Sequence, residues 1–390
     1  MKATFLLLML SVLGIWVYRF YLAIVSKHRE FFLETDSYPP APDNVPLVSI
    51  LIPARNEERN IGNCLESLRH LDYPHYEVIV IDDRSTDGTA ALVEGFSRKD
   101  SRIRLIRNQE LKEGWTGKNY ALFKGQAQAQ GKWLLFSDAD TIHAPESLSQ
   151  SLQFAQDRGI EMVSLLPNLI GHSFWEKLLQ PIGGAILMIS FPLHKSNNPE
   201  SPVAFANGQY ILISRSLYDR VGTHETLKGY FLEDIAMAKA AKSLRAPMLV
   251  VPSPTLYQTR MYKNFKEIWH GWSRIYYYIY EKHFFRLLTN IVGIFAISLL
   301  PICALIGLAG TWLWLGRLSG YALAILGVAI AQIGVMRLTV FRYYRLSGCN
   351  PYYSILNPIG CLIMMGILTD SILKIFSKKG MTWRGTTYAK

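Results

Sequence analysis

The sequence lacks the short motifs that mark several common classes of enzyme. No GxGxxG follows the first apolar run and no GxxxxGK[ST] occurs, which disfavours dinucleotide oxidoreductases and P-loop NTPases. GxSxG and HExxH are missing too, so neither the nucleophile elbow of an α/β-hydrolase nor a zincin metal site is predicted. His143, His224 and His270 stand alone, and we interpret them as core or surface residues rather than metal ligands.

Cysteines and charged residues are also few. The four cysteines, Cys64, Cys303, Cys349 and Cys361, form no CxxC pair and no disulfide framework, so they are predicted to be reduced. Only 18% of the 390 residues are charged while 50% are hydrophobic, which predicts a soluble domain joined to membrane helices. Lysine and arginine outnumber aspartate and glutamate by 41 to 30, and the excess flanks apolar segments. This placement favours a membrane partner with anionic lipid, and no nucleic-acid partner is expected.

Apolar segments of membrane length lie at both ends of the chain. Phe5–Val25 is predicted to be an uncleaved anchor within residues 1–30, and the basic residues 27–29 after it place the following domain in the cytoplasm. Residues 287–376 are predicted to be transmembrane and are followed by a basic tail, 377–390. The apolar segments in this region are Leu287–Leu315, Leu318–Met336 and Tyr352–Phe376.

Two features of the sequence give contradictory predictions for the side of the membrane on which the chain ends. One anchor and three further crossings would leave the tail outside, yet its bases Lys378, Lys379, Arg384 and Lys390 favour the cytoplasm. Either the sequence NPIG at residues 357–360 breaks the last segment into a re-entrant pair, or the apolar stretch 181–194 enters the bilayer. We expect a cytoplasmic tail.

A proline-rich linker, Ser37–Pro46, precedes a region of alternating strands and amphipathic helices. Such alternation predicts an α/β fold with a mostly parallel sheet, whose ligands gather at the carboxyl ends of the strands. The predicted strands are Leu47–Ile52, Glu77–Ile81, Ile103–Ile106, Trp133–Ser137 and Met162–Ser164.

Acidic residues follow two of these strands. Asp138 and Asp140 are two residues apart, and in a strand they would point to the same face as oxygen ligands for Mg²⁺ or Mn²⁺. Asp82 and Asp83 end the second strand, and we expect their positive counter-charge to lie one strand away. A solvated turn is the alternative for the Asp-x-Asp pair.

Two further segments complete the predicted site. Glu233 and Asp234 begin a helix; they either complement its dipole or, beside a phosphate site, Asp234 acts as a general base. The segment 112–122 brings Trp115 and Lys118 to the start of a helix, where a lysine would bind a diphosphate. A surface loop is the alternative for this segment.

The sequences VSILIPARNEERNI, VIVIDDRSTDGT, SDAD and LED, in this order, resemble the inverting family 2 glycosyltransferases with the GT-A fold. The sequences GWTGKNYAL, NGQYILISRSLYDRVGTHE, RMYKNFKEIWHGWSR and TWRGTTY are similar to the membrane-anchored branch that glycosylates carotenoids, hopanoids and, more distantly, ceramide. The resemblance implies a GT-A catalytic domain over residues 46–260, followed by an amphipathic interfacial helix, 261–286.

The resemblance also implies roles for individual residues. Asp234 would be the catalytic base, with Glu233 beside it, and a divalent ion would be bound by Asp138 and Asp140. The residues assigned to the donor are Ala54, Arg55, Glu57, Asp82, Asp83, Lys118 and Asp138. The family's QxxRW element is incomplete, because the corresponding stretch reads IWHGWSR. The residues assigned to the acceptor and diphosphate are therefore Trp115, Trp272, Arg260 and Arg274.

The predicted function is transfer of a hexose from a nucleotide sugar, UDP-glucose by resemblance, to a hydroxyl group of a lipid acceptor. The protein would be integral to a bacterial cytoplasmic membrane, with its catalytic domain in the cytoplasm. A polysaccharide synthase or a polyprenyl-phosphate sugar transferase would share the donor site and is the alternative. A membrane protein that uses this fold only for binding belongs to a different class.

Overall fold

Two units make up the chain, and each combines segments that are distant in sequence. The computed structural model describes residues 2–25, 32–39, 44–280, 283–346, 348–377, 381–383 and 386–388. The α/β unit comprises Glu30–Ile170 and Leu187–Met261. The helical unit comprises Met1–Arg29, Gly171–Ile186 and Tyr262–Lys390.

Strands and helices alternate through the α/β unit, whereas the helical unit is almost entirely α-helical. In the described part of the chain the strands are β1 (Val48–Ala54), β2 (Tyr76–Asp83), β3 (Ile103–Asn108), β4 (Trp133–Ser137), β5 (Thr141–His143), β6 (Met162–Leu166), β7 (Asn168–Leu169), β8 (Tyr210–Ser214), β9 (Met248–Pro252), β10 (Tyr257–Thr259), β11 (Met381–Trp383) and β12 (Thr386–Tyr388). The α-helices in the same ranges are α1 (Lys2–Val25), α2 (Ile61–Arg69), α3 (Thr89–Ser97), α4 (Gly117–Gln126), α5 (Ser147–Asp157), α6 (Phe174–Ser190), α7 (Leu193–Ser196), α8 (Arg215–Arg220), α9 (Glu233–Ser243), α10 (Phe265–Ile279), α11 (Phe284–Ile294), α12 (Leu300–Leu315), α13 (Gly320–Leu346) and α14 (Asn357–Phe376).

The main sheet has the strand order β3-β2-β1-β4-β8-β6-β9. All its neighbouring strands are parallel except for β8, which is antiparallel to both β4 and β6. The predicted mostly parallel α/β fold is therefore confirmed. A smaller sheet has the order β5-β10-β7.

The five predicted strands are present, each within two residues of its predicted ends. β2 continues to Asp83 because its pairing with β3 extends through Asp82 and Asp83, opposite Arg107 and Asn108. The prediction missed β8 and β9. Apolar runs of four or five residues do not distinguish a strand from a short piece of buried helix, so periodicity alone could not identify these two.

The core of the α/β unit fixes where the polar ends of the strands lie. Ile50, Ile52, Val78 and Val80 are at most 1% exposed and pack in one cluster with Leu65 of α2. Since β1, β2 and β4 are parallel neighbours, their carboxyl ends meet at one edge of the sheet. The acidic motifs follow at this edge.

The helical unit carries apolar helices from both ends of the sequence, as predicted. Among the described residues, four helical stretches are long and apolar enough to cross a membrane, at residues 2–22, 284–315, 320–345 and 351–376. On α12, Ile306, Leu313 and Trp314 are 68%, 77% and 86% exposed. An apolar surface of this kind is suited to contact with lipid.

Several details of the helical unit differ from the prediction. The interfacial helix predicted over 261–286 is two helices, because α10 ends at Ile279 and α11 begins at Phe284. α11 continues through a π-helical turn, Phe295–Leu299, directly into α12. The last apolar segment is divided into a 3₁₀ helix, Pro351–Leu356, and α14. The stretch 181–194 falls mainly in α6. Residues 27–29 and the four tail bases lie outside the described residues, and the domain boundaries stay predictions.

Candidate active site

Asp83, the last residue of β2, is the centre of a charged cluster. Its Oδ1 accepts hydrogen bonds from Arg84 Nε at 2.9 Å and from Asn108 Nδ2 at 3.0 Å. Its Oδ2 accepts a bond from a terminal nitrogen of Arg84 at 3.0 Å and lies 3.8 Å from a terminal nitrogen of Arg55. Asp83, Arg55, Arg84 and Asn108 form the Asp83 cluster. The carboxylate is 4% exposed, so these partners compensate for its burial.

The expectation that the counter-charge of Asp83 lies one strand away describes only part of the pairing, because Arg55 follows the neighbouring strand β1 but the closer cation, Arg84, does not. Arg84 is the next residue in the chain, and a left-handed backbone, with φ of 58°, aligns its guanidinium with the carboxylate of Asp83. Asn56 has a similar φ of 55° after β1, and its side-chain oxygen accepts a hydrogen bond from Thr86 N at 2.8 Å. Left-handed backbone at residues other than glycine is typical of positions held by their surroundings at functional sites.

The other residues assigned to the donor lie at the same edge. Ala54 ends β1 and is 1% exposed, and Glu57 is 5% exposed, with its carboxylate accepting a hydrogen bond from Asn60 Nδ2 at 2.7 Å. Asp82 is 6% exposed, and its Oδ1 has no hydrogen-bond partner within the described residues. A buried carboxylate oxygen of this kind suits a ligand that donates a hydrogen bond.

The GWTGK segment reaches the Asp83 cluster through Gly117. A Cβ at Gly117 would lie 2.5 Å from Asp83 Oδ2, so this close approach requires glycine. The Thr116 side chain caps α4 by accepting a hydrogen bond from Asn119 N, and Asn119 Nδ2 donates to the carbonyl of Tyr230 at 2.9 Å. Trp115 is 7% exposed and packs against aromatic side chains of α4. Its predicted contact with the acceptor or diphosphate stays a prediction.

Lys118, the second residue of α4, joins two of the acidic motifs. Its Nζ lies 2.8 Å from Asp138 Oδ1 and 2.7 Å from Glu233 Oε1. Burial alone would lower the pKa of Lys118, but the charges of Asp138 and Glu233 outweigh burial and raise it, so the ammonium is retained. Lys118, Asp138, Glu233 and Asp234 form the Lys118 cluster. It adjoins the Asp83 cluster because Gly117 and Lys118 are consecutive.

Asp234 lies beside this lysine, but its carboxylate is held by backbone N–H groups instead of by the ammonium. Its Oδ2 accepts a hydrogen bond from Gly208 N at 2.9 Å, and its Oδ1 accepts one from Ile235 N at 2.8 Å. Burial and the neighbouring charge of Glu233 raise the pKa of Asp234 to about 7, although Lys118 and the two backbone donors act in the opposite direction. A carboxylate of this pKa is suited to general base catalysis near neutral pH.

A small cavity lies behind these carboxylates. It has a volume of about 10 Å³ and is lined by Lys118, Glu233, Asp234, Gly208 and His224, among others. This volume accommodates about one water molecule and excludes a sugar.

Asp138 and Asp140 lie in a turn between β4 and β5, not in a strand. The expectation that both carboxylates point to one face assumed that they lie in a strand, and this assumption was wrong. Two hydroxyl groups hold the main chain of the turn instead, since Thr141 Oγ1 donates to the Asp138 carbonyl at 2.7 Å and Thr259 Oγ1 donates to the Asp140 carbonyl at 3.4 Å.

Below the turn lies a buried polar network centred on His143. His143 Nε2 is 3.1 Å from both Ser137 Oγ and Thr141 Oγ1, and Gln209 Nε2 donates to Thr259 Oγ1 at 3.2 Å. Burial lowers the pKa of His143 to about 3, so the imidazole is neutral. The interpretation of His143 as a core residue agrees with this position. His224 is likewise buried, at 1% exposed.

Asp138 and Asp140 in this turn can supply only some of the ligands that a divalent ion needs. The carboxylate of Asp138 already holds a cationic group, the Lys118 ammonium, and carboxylate oxygens are the ligands that Mg²⁺ and Mn²⁺ prefer. Among the described residues, no group of three or more His, Cys, Asp and Glu side chains is placed to hold a metal. An ion bound by Asp138 and Asp140 would need further oxygens from the donor diphosphate and from water.

The remaining predicted residues are not part of either cluster. Arg260 follows β10 directly, whereas Trp272 and Arg274 lie on α10 in the helical unit. Trp272 is 2% exposed, its indole N–H donates to Gln180 Oε1 at 2.9 Å, and its ring contacts Gly183. This burial favours a packing role in the helical unit, and the ligand contacts of these three residues stay predictions.

Sequence reasoning missed several residues that shape the site. Arg84, Asn108, Thr141 and Gly208 all contact a predicted site residue or its backbone. Arg84 was detectable as the base directly after two buried acids. The others become neighbours only through strand pairing or loop packing, which no local pattern reveals.

Comparison with known proteins agrees with this geometry. Residues 49–222 match the profile of the family described as Glycosyl transferase family 2. A 4,4'-diaponeurosporenoate glycosyltransferase of Staphylococcus haemolyticus is 26% identical over 232 residues, and one of Staphylococcus aureus is 27% identical over the same length. These alignments cover 58% of this chain and only 60% of each relative.

A solved structure extends the comparison to the fold. A mannosyltransferase from Pyrobaculum calidifontis, in complex with GDP-Man and Mn²⁺, is similar with a TM-score of 0.50 at 16% identity, covering 96% of this chain and 98% of that chain. At this identity the likeness establishes the fold and no more. Residues 49–222 are therefore similar to glycosyl transferase family 2 domains, and the chain has a GT-A-like α/β fold.

Proposed function

We propose that this protein is a membrane-bound glycosyltransferase that moves a hexose from a nucleotide sugar to a hydroxyl group of a lipid, with inversion at the anomeric carbon. The observation that carries this proposal is the Lys118 cluster. One cation links the Asp138 and Glu233 carboxylates, while the adjacent, partly buried Asp234 has its pKa raised to about 7. A phosphate-binding charge and a base are thereby placed together.

The donor binds along the carboxyl edge of the sheet in this proposal. The Asp83 cluster and the unpartnered oxygen of Asp82 receive the base and ribose, whose N–H and O–H groups donate hydrogen bonds to carboxylates. Lys118 and the first N–H groups of α4 face the diphosphate, since a helix start and an ammonium both attract anions. UDP-glucose is the donor that we propose, from the family resemblance.

Asp138 and Asp140 would hold the divalent ion, Mg²⁺ or Mn²⁺. When bound, such an ion supplies positive charge to the diphosphate as negative charge develops on it. The mannosyltransferase from Pyrobaculum calidifontis was solved with Mn²⁺, which supports this assignment. The hydroxyl groups of Thr141 and Thr259 keep the turn in place for this role.

The chemical step is a direct displacement. Asp234 takes the proton of the acceptor hydroxyl while the acceptor oxygen forms a bond to the anomeric carbon. The bond from that carbon to the diphosphate oxygen breaks, and its electron pair leaves with the nucleoside diphosphate. Gly208 N–H and Ile235 N–H each donate to one Asp234 oxygen, which fixes the base during the transfer.

The acceptor in this proposal is a lipid, with carotenoids and other terpenoids preferred over sphingolipids. The relatives that act on diaponeurosporenoate support this preference, and so do the apolar helices, since they would present a lipid hydroxyl at the bilayer surface. The incomplete QxxRW element favours a single transfer over polymer synthesis. We place the protein in the cytoplasmic membrane of a bacterium with the α/β unit in the cytoplasm.

The substitution Asp234→Asn tests the proposal. Asparagine keeps the shape and one of the two hydrogen-bond acceptors of Asp234 but cannot take a proton, so turnover should fall by about 10² to 10⁴. Nucleotide binding, measured by calorimetry on the purified protein in detergent, should stay unchanged. Asp219→Asn, in the exposed part of α8, is the matched control and should keep full turnover.

Unchanged turnover in the Asp234→Asn protein would contradict this role, because Asn cannot take the proton of the acceptor hydroxyl. Loss of nucleotide binding together with turnover would instead show that Asp234 maintains the donor site. A label that accumulates in polymer rather than in lipid would favour the synthase alternative.

A further inference from the structure

The last apolar segment of the chain runs in a direction that does not fit a full crossing of the membrane. It consists of the 3₁₀ helix Pro351–Leu356 and α14, which together form the C-terminal hairpin. By length and composition the hairpin is apolar enough to span a bilayer. The contacts of its ends within the helical unit determine whether it does.

The first helices of the helical unit establish a common direction. α12 and α13 are joined by the short link 316–319, and Ile297, just before α12, packs in one cluster with Met336 of α13 and Trp16 of α1. α12 and α13 are therefore antiparallel. α1 runs parallel to α13, because Tyr321 Oη donates to the Lys2 carbonyl at one end and Trp16 meets Met336 further along.

α14 runs in the same direction as α13. The ring of Phe376 lies 5.9 Å from that of Phe284 at the start of α11, and Cys361 lies beside Ser298 at the end of the π-helical turn. α14 is therefore antiparallel to the continuous helix that becomes α12. Consecutive transmembrane helices alternate in direction, so α13 and α14 are both full crossings only if the link between them also crosses.

The link is too short in its observed form to cross back. The six residues of the 3₁₀ helix rise about 12 Å at roughly 2 Å per residue, less than half of a hydrocarbon core of about 30 Å. Because Cys361 near the start of α14 lies beside Ser298, the start of α14 lies at about the same depth as Ser298. The preceding residue, Ile297, packs against Met336, so Met336 of α13 lies at this depth too. The part of α13 between Gly320 and Met336 is about 24 Å long, and the hairpin does not extend alongside it.

The two faces of the hairpin differ in the way expected for one leaflet of a bilayer. One face packs on α6 and α10 of the same unit, where Gly360 contacts Ile182 and Ser371 Oγ donates to the Ser273 carbonyl at 2.9 Å. The other face carries exposed apolar side chains at helical spacing, namely Tyr352, Ile355, Ile359, Leu362, Leu373 and Phe376. Acyl chains of a single leaflet match this surface in length and chemistry.

We propose that the C-terminal hairpin is re-entrant: it enters one leaflet and returns, so that the chain crosses the bilayer three times, by α1, α12 and α13. The tail then ends on the side where α1 ends and α11 begins. Arg337, Arg342, Arg345 and Lys374 lie towards that same side, which the positive-inside rule identifies as the cytoplasm. The proposal does not depend on the reaction that the protein catalyses.

Single cysteines test it in intact cells. In a chain whose four cysteines are replaced by alanine, Asn350→Cys and Ser377→Cys mark the two ends of the hairpin, and Arg317→Cys marks the link between α12 and α13. With a membrane-impermeant maleimide, Arg317→Cys should be labelled in intact cells, and the other two only after lysis. Labelling of Ser377→Cys but not Asn350→Cys in intact cells would overturn the proposal, since it places the hairpin ends on opposite sides.

Fusions to the unaltered chain give the same answer without the cysteine replacements. A green fluorescent protein after residue 390 should fluoresce, and alkaline phosphatase at that position should be inactive. Phosphatase inserted after residue 317 should be active and serves as the control. An active C-terminal phosphatase would mean four crossings and would contradict the hairpin.

Discussion

The two acidic clusters at the edge of the sheet neutralise their charge in different ways. Asp83 is the only carboxylate of its cluster and is held by two arginines and an asparagine. In the Lys118 cluster, a single ammonium is shared by Asp138 and Glu233, and Asp234 is left with backbone N–H donors. The first cluster has a surplus of positive partners, and the second has a deficit.

This difference indicates different tasks. Arginine remains charged at all relevant pH values and holds a carboxylate in a fixed geometry, which suits recognition of a ligand. A shortage of positive charge raises the pKa of the least compensated carboxylate, which suits proton transfer. Recognition and chemistry are therefore assigned to neighbouring clusters that meet at the start of α4.

After loss of the base itself, removing the shared cation should have the largest effect. Lys118→Met keeps the aliphatic stem but leaves two carboxylates unpaired, so kcat/KM should fall by about 100-fold. The free energy of unfolding should fall by about 2 kcal/mol, less than for a fully buried pair because Asp138 is 30% exposed. Steady-state kinetics and thermal unfolding in detergent measure the two effects.

Lys124→Met is the matched control for this change. Lys124 lies on the same helix, is 45% exposed and is 3.8 Å from Glu110, so its loss should change stability by less than about 0.5 kcal/mol. Equal effects of the two substitutions would show that the Lys118 cluster has no special role.

Asp83→Asn should produce a smaller and different loss. The arginines keep their positions less firmly without the charge, and a charge-assisted hydrogen bond to the donor disappears, so nucleotide affinity should fall by about 10-fold. At saturating donor, kcat should stay near its original value, because the base is untouched. Asp100→Asn, which removes a charge paired with Arg102 before β3, is the control and should leave affinity unchanged. A fall in kcat without a change in KM would contradict the division between the clusters.

Glu233→Gln should reduce activity least, because its main effect is a shift of the pH profile. Turnover requires deprotonated Asp234, whose pKa is raised to about 7, so the rate should decline as the pH falls through that value. Since the charge of Glu233 contributes to the raised pKa, its removal should move the acidic limb to lower pH. A limb that stays in place would exclude Asp234 as the titrating group.

The sequence was informative about features that depend on residues close together in the chain. Apolar runs that end in acids predicted the parallel strands and the edge at which Asp83, Asp138 and Asp234 gather. β8 and β9 were missed because their short apolar runs carry no periodic signal. The direction of α14 was beyond reach for a different reason, since hydropathy is the same for a crossing and for a re-entrant helix.

The acidic residues of the site were predicted from the sequence, but only some of its basic residues were. Lys118 was identified from its place at a helix start, yet its bridge between Asp138 and Glu233 depends on residues 20 and 115 positions away. The pairing of Arg84 with Asp83 depends on one left-handed residue, and the turn at Asp138 depends on Thr141 and Thr259. Such contacts arise from tertiary packing, which composition and spacing do not encode.

The central claim is tested most directly by incubating the purified protein with radiolabelled UDP-glucose, a divalent ion and bacterial lipid extract. We predict that the label moves into the organic phase on a lipid that gains one hexose, joined with the anomeric configuration opposite to that of the donor. Label that stays in the aqueous phase with every nucleotide sugar tried, or a product that retains the donor configuration, would contradict the account.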